Sequence, residues 1–247
     1  MSKRKNNNNI NKIILTIIAI IIVSIAGYLN IEDEQHVTKY VNGNKISYTT
    51  SFDLNSIPAF TNEPYVVLND NKPNFSEEDF TKETFEEYSQ LDYLGRCGVA
   101  FAKVGKETMP KEPRGEIGMV KPSGWKTVKY DIIDGKYLYN RCHLIGYQLT
   151  AENANERNLI TGTRYMNVQG MLPFENMVAE YVKSTKNHVL YRVTPIFEGE
   201  NLVANGVQIE AESVEDTQIC FNVYIYNVQP GISINYSNGE STEILLQ

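Results

Sequence analysis

The chain has 247 residues, with 30 Asp and Glu against 23 Lys and Arg, for a net charge of −7. Three cysteines, at 97, 142 and 220, exclude a disulfide scaffold, and without a Cys-x-x-Cys pair a structural zinc site is not expected. One disulfide remains open to an exported chain, but the apolar neighbours of these cysteines favour packed, free thiols.

Lys3, Arg4, Lys5 and Lys12 precede a 17-residue apolar run from Ile13 to Leu29. A positive flank on such a run reads as a secretory signal or a signal-anchor. Ser24-Ile25-Ala26 offers a cleavage site. Either way the rest of the chain is expected outside the cell, released or held on the outer face of the membrane through residues 13–29. Three segments are expected: a leader over 1–29, a linker and N-terminal extension packed on the core over 30–87, and the main domain over 88–247.

In the extension, Asn42-Gly43 can turn between strands at 37–41 and 46–50. Ser76 is placed to cap a helix carrying Phe80, Phe85 and Tyr88 on one face. Residues 91–94 and 97–104 look like the start of the main sheet. Pro110, Pro113, Gly115, Gly118, Pro122 and Gly124 then make a long, turn-rich loop. Residues 158–161 form a short strand or tight connection. Pro173 opens a helix over 174–185, with Phe174, Met177, Val178, Tyr181 and Val182 on one face. Residues 189–197, 202–212 and 220–228 are the clearest strands. Strands bracketing a helical centre define an α+β domain with an antiparallel sheet.

Charge is unevenly spread. Residues 32–90 carry 12 acids against four lysines, whereas residues 96–146 carry ten Lys and Arg against five acids. The acidic total therefore does not exclude a nucleic-acid partner, because a cleft is governed by its local field.

The basic segment contains His143, one of three histidines, in Asn140-Arg141-Cys142-His143-Leu144-Ile145. A neutral imidazole can take a proton from water. Arg141, two residues earlier in an extended segment, points to the same side and can grip a phosphate or make a surface pair. Cys142 faces the other way, which disfavours a Cys–His nucleophilic pair. Asn167 follows His143 by 24 residues; its amide oxygen suits Mg²⁺ when a phosphate supplies charge. Asn155 and Asn158 serve either this region or ordinary turns and caps. Glu175, in the first turn of the expected helix, either caps it or orients waters around a metal.

Taken together, Leu91–Gly98, Met109–Gly115, Pro122–Trp125, Asn140–Leu149, Asn155–Asn167, Met171–Glu175, Tyr191–Pro195 and Asn227–Gly231 carry a specific resemblance over about residues 88–235. The chain resembles the DNA/RNA non-specific endonucleases of the ββα-metal (His-Me finger) class, and especially the streptococcal-type secreted or membrane-tethered DNases. The family's widespread Asp-Arg-Gly-His reads Asn140-Arg141-Cys142-His143 here, and streptococcal-type members resemble it with asparagine in the first place.

The resemblance implies a ββα-metal fold in which a central antiparallel sheet is flanked by helices, and it makes 88–247 the endonuclease domain. By the same resemblance His143 is the general base, Asn167 the direct ligand of Mg²⁺ (Mn²⁺ able to substitute), and Glu175 the holder of metal-bound waters. Asn158 supports the site, Arg96 faces the scissile phosphate, and Arg141 fills the motif's arginine position. DNA, and RNA as a second substrate, would be cut internally to leave 5′-phosphate ends. Lys103, Lys106, Lys111, Arg114 and Lys126 are candidates for a backbone track. No obligate protein partner is evident. The alternatives are a phosphatase, a cysteine-dependent hydrolase, and a noncatalytic extracellular nucleic-acid-binding surface protein.

Overall fold

The computed structural model describes residues 36–41, 44–49 and 56–244. The apolar run at 13–29 lies outside them. Among the described residues no helix is long and apolar enough to cross a membrane. Strands β1 (His36–Val41) and β2 (Asn44–Thr49) pair antiparallel, with Val41 opposite Asn44, as the Asn-Gly pair between them suggests.

The remaining strands, in chain order, are β3 (Tyr65–Val67), β4 (Glu86–Tyr88), β5 (Ala100–Val104), β6 (Tyr139–His143), β7 (Leu159–Thr163), β8 (Val189–Ile196), β9 (Gly206–Ser213), β10 (Cys220–Tyr226), β11 (Ile232–Asn235) and β12 (Glu240–Glu243). The helices are α1 (Glu77–Thr81), α2 (Tyr147–Thr150) and α3 (Leu172–Thr185). Six strands form one antiparallel sheet in the order β3-β10-β9-β8-β5-β4. Its two edge strands come from residues 65–67 and 86–88, so the expected extension is partly woven into the sheet. Strands β6 and β7 form a separate ribbon, and α3 follows it. That ribbon and helix are the ββα unit of the α+β fold expected from the sequence.

Both faces of the sheet are covered, which is why its central strands are buried along nearly their whole length. In β5, Ala100, Ala102 and Val104 enter the main core with Val178 and Val182 of α3 and Leu144 and Leu149 near α2. Phe101 points to the opposite face, where Phe75, Phe80 and Phe85 cover it; the Phe75 and Phe101 rings stack 5.6 Å apart. Removing this apolar surface from water, at about 25 cal/mol per Å², holds residues 75–85 to the sheet. Lys103 is buried among them and donates to the carbonyls of Phe80 and Lys82, at 3.1 and 2.7 Å. It is therefore a structural residue, not part of a nucleic-acid track.

Several sequence expectations change. Ser76 caps α1 through a reciprocal bond with Asp79, as expected, but the helix stops at Thr81, so Phe85 and Tyr88 lie beyond it. Residues 91–96 form a turn, not a strand: the Asp92 carboxylate accepts from the Leu94 and Arg96 amides, and Gly95 has φ +74°. Helix α3 begins two residues earlier than expected, and Met177 lies outside its buried face. Cys220 is exposed at the start of β10, and all three cysteines are free.

Candidate active site

The alternation of β6 sorts the histidine motif. Arg141 and His143 both line one cleft. Cys142 is buried on the other side beneath Gly162, where an added Cβ would lie 2.4 Å from its sulfur. His143 is only 7% exposed, and its Nε2 lies 2.7 Å from the Asn153 carbonyl oxygen. A carbonyl can only accept, so Nε2 carries the hydrogen and Nδ1 keeps the lone pair. Burial, reinforced by the positive charge of Arg114 and opposed by the Asn153 bond, pushes the His143 pKa down to about 4. The imidazole is thus neutral at working pH and free to accept a proton.

The turn after β6 is fixed by a buried asparagine. Asn158 Oδ1 accepts from the Ile145 amide and its Nδ2 donates to the Ile145 carbonyl, both at 2.9 Å. Its own carbonyl accepts from the Leu144 amide at 2.8 Å. Asn158 therefore fixes the backbone of Leu144 and Ile145, directly after His143. Asn155 caps the short helix before it, accepting from the Arg157 amide.

Gly146 comes next. A Cβ built there would sit 2.4 Å from the Glu175 carboxylate, so the bare glycine leaves the space this carboxylate occupies. Glu175 lies in the first turn of α3, 9% exposed and with no ion pair among the described residues. Burial drives its pKa up to about 7, against the lowering effects of a Gln148 hydrogen bond and the Arg114 charge. Asn167 lies within a π-helical turn, Met166–Met171, that runs directly into α3. Such turns place side chains where a regular helix would not. Its side chain lines the cleft and makes no hydrogen bond among the described residues.

An unpartnered amide and a buried carboxylate held in a glycine-made space form a donor set that fits a hard, hydrated divalent cation. No group of three or more His, Cys, Asp or Glu suited to a metal occurs among the described residues.

The cleft has two lobes that share Arg114, Arg141, Arg164 and Asn167. One, of about 480 Å³, contains His143 and Glu175; the other, of about 530 Å³, contains Trp125 and Tyr137. Arg141 is anchored in the wall between them. It donates through Nε to the Val120 carbonyl and through Nη2 to that of Gly118 (2.8 Å), and its guanidinium lies 4.0 Å from the centre of the Trp125 ring. It ties the 115–125 loop to β6.

The structure does not bring Arg96 to either lobe. Its guanidinium pairs with Asp92 at 2.7 Å, donates to the carbonyls of Gly199 and Asn201, and lies over the Phe197 ring. Of the three arginines that line the lobe holding His143 and Glu175, Arg141 is bonded to two carbonyls and Arg164 to Asp134, whereas Arg114 is exposed and makes no hydrogen bond or ion pair among the described residues. It was legible in the sequence only as one basic residue among several in a long loop. Asn153 carried no signal, because it acts through its backbone carbonyl. His188, held between Glu215 and Glu107, lies outside both lobes. Burial raises the thiol of Cys97 to about 12 and that of Cys142 still higher, so neither is a ready nucleophile.

A sheet-backed ββα unit with a neutral histidine, a free amide and a buried carboxylate in a cationic cleft defines a ββα-metal nuclease. The model of the DNA/RNA non-specific endonuclease family matches residues 74–215, more than half of the chain, and the chain belongs to that family. It is an enzyme that acts on nucleic acid, which sets aside the noncatalytic alternative.

Similar solved structures include NucA from Streptococcus agalactiae with no metal bound: 25% identity, TM-score 0.67, 77% of this chain and 92% of that one. NucA from the same organism with a magnesium ion bound gives 24% identity, TM-score 0.65, and coverage of 87% and 94%. The Sda1 nuclease with a bound zinc ion gives 24% identity, TM-score 0.61, and coverage of 73% and 96%.

Proposed function

We propose that this endonuclease hydrolyses DNA, and RNA as a second substrate, outside the cell in a reaction that depends on Mg²⁺, with Mn²⁺ able to substitute. The observation that carries the reading is the fixed tautomer of His143. The Asn153 carbonyl holds Nε2–H, leaving the Nδ1 lone pair as the base beside Asn167 and Glu175. Asn167 would hold the cation directly and Glu175 would hold its waters. When bound, such a cation offsets the phosphate's charge and the charge that grows on the leaving oxygen. The magnesium-bound form of NucA supports this choice of ion.

His143 Nδ1 takes a proton from a water in line with the P–O3′ bond. Burial keeps the ring neutral until that proton arrives. Arg114 neutralises the phosphate during attack, in the role the sequence suggested for Arg96. Arg141 holds the cleft wall and faces both lobes. The water oxygen bonds to phosphorus as the P–O3′ bond breaks, and O3′ takes a proton from solvent, leaving a 3′-hydroxyl and a 5′-phosphate. The apolar leader and the family resemblance support an extracellular site of action.

The test is cutting of supercoiled plasmid by the full chain, with and without Mg²⁺, beside His143→Ala and Cys142→Ala. Internal cutting should need the cation, fall by roughly 10²–10⁴-fold without the histidine, and survive loss of the cysteine. Ligation of the fragments without added kinase should succeed if the ends are 5′-phosphates. Undiminished cutting in EDTA would sink the cation dependence.

A further inference from the structure

The second lobe takes no part in the proton chemistry. Four cations line it (Arg114, Lys126, Arg141 and Arg164), and the lining holds no carboxylate, although Arg164 reaches out to the exposed Asp134 at 3.0 Å. Its aromatic walls differ in character. Trp125 is immobilised by the Arg141 guanidinium, which is itself bonded to two backbone carbonyls. Tyr137 is 47% exposed, with the Lys129 ammonium 4.4 Å from its ring centre. Water disfavours an aromatic ring left so open, and the family's proton chemistry gives it no task.

Two further wall residues, Tyr139 and Asn140, carry polar groups without hydrogen-bond partners among the described residues. At about 530 Å³ the lobe has the volume of a small-molecule site.

We propose that this lobe is a nucleotide subsite that receives one unpaired base of the substrate, adjacent to the scissile phosphate. The base stacks against the aromatic wall formed by Tyr137 and the Arg141–Trp125 pair, and Lys126 and Arg164 meet the flanking phosphates. The inference rests on the reading that the scissile phosphate lies where the lobes join, at Arg114 and Asn167.

Two consequences follow from the chemistry of stacking. Every base has a π-face, so such a subsite binds nucleic acid without reading its sequence. A base inside a duplex has both faces covered by its neighbours, so single-stranded or locally opened segments are bound more tightly than closed duplex.

Trp125 is the only tryptophan in the sequence and reports on this lobe alone. The experiment uses full-length His143→Ala in EDTA, so that nothing is cut, titrated with a short dye-labelled oligothymidylate and with an abasic strand of equal length. Tryptophan emission follows the subsite, and anisotropy of the dye follows binding anywhere. Saturable quenching of Trp125 by the oligothymidylate and not by the abasic strand is expected. Adding Tyr137→Ala should weaken oligothymidylate binding by roughly 5–100-fold, with little change for the abasic strand.

Binding by anisotropy with unchanged Trp125 emission and no effect of Tyr137→Ala would overturn the subsite, as would equal affinity for both strands. Neither result bears on the histidine mechanism, which the plasmid assay judges separately.

Discussion

At the scale of single residues, the site is set by two buried groups whose protonation is pushed in opposite directions. His143 is held neutral, with its pKa lowered to about 4, and Glu175 is held protonated up to about pH 7. For His143 the unfolded chain binds the proton more readily, so its effect is a loss of stability as pH falls from 6.5 toward 4. For Glu175 the folded chain binds the proton more readily, so stability is lost as pH rises from 4.5 through 7.

Glu175→Gln should therefore melt higher than the parent at pH 8 in EDTA, by roughly 3–8 °C, and no higher at pH 4. The same variant should lose most of its activity at limiting Mg²⁺ if the Glu175 carboxylate holds waters of the cation, as proposed. In the parent at limiting Mg²⁺, cutting should fall as pH drops through 7, and saturating Mg²⁺ should move that limb to lower pH. An acid limb fixed near 4 whatever the cation concentration would point to the histidine and against this assignment.

The residue types of this site were legible in sequence because each has few alternative uses in so tight a motif. His143, Asn167 and Glu175 line one cleft, and Asn158 fastens the turn after β6. An arginine beside a turn serves equally to close the turn, and here Asp92 four residues earlier holds Arg96 away from both lobes. Arg114 was hidden by its loop, where no periodicity says which way a side chain points.

At the scale of elements, the site depends on how three connections are fastened: the turn after β6, the π-helical turn before α3, and the 115–125 loop. Asn158→Ala would leave both the amide and the carbonyl of Ile145 unpaired in a buried place. Each such group costs about 1–3 kcal/mol, so a destabilisation of roughly 2–5 kcal/mol is expected in urea unfolding. Gly146→Ala tests the space for the carboxylate. The fold should persist, while the Mg²⁺ concentration giving half-maximal cutting rises by about tenfold or more as Glu175 is displaced. An unchanged requirement would mean the carboxylate takes no part in holding the cation.

The strands β8, β9 and β10 were readable from their alternation and β-branched residues, and α3 from Pro173 and its apolar face. The π-helical turn was not, since one extra residue in a helical turn leaves no compositional trace. The three-residue edge strands β3 and β4 were missed for a related reason: they are too short to show a period, and pairing with long neighbours creates them.

At the scale of the whole molecule, a chain of net charge −7 acts on a polyanion at a cleft lined by four cations, Arg114, Lys126, Arg141 and Arg164, and by a single carboxylate, the buried Glu175. Such a cleft should be sensitive to salt. Binding of single-stranded DNA should weaken by an order of magnitude or more between 50 and 200 mM NaCl, as expected when a few phosphates are neutralised. The cysteines offer a check on the rest of the surface. Cys220 is exposed while Cys97 and Cys142 are buried, so a bulky thiol reagent should label the folded protein once and leave cutting intact. The sequence suggested three packed thiols; the exposure of Cys220 follows from its place at the first residue of β10, which no local pattern announces.

The most direct measurement is chemical rescue of the full-length His143→Gly variant, cutting supercoiled plasmid in saturating Mg²⁺ with added imidazole. The variant alone should be nearly inactive, and cutting should return in proportion to the unprotonated fraction of imidazole as pH is varied. A folded His143→Gly protein that cuts at close to the parent rate without imidazole would contradict the role of His143 as the base.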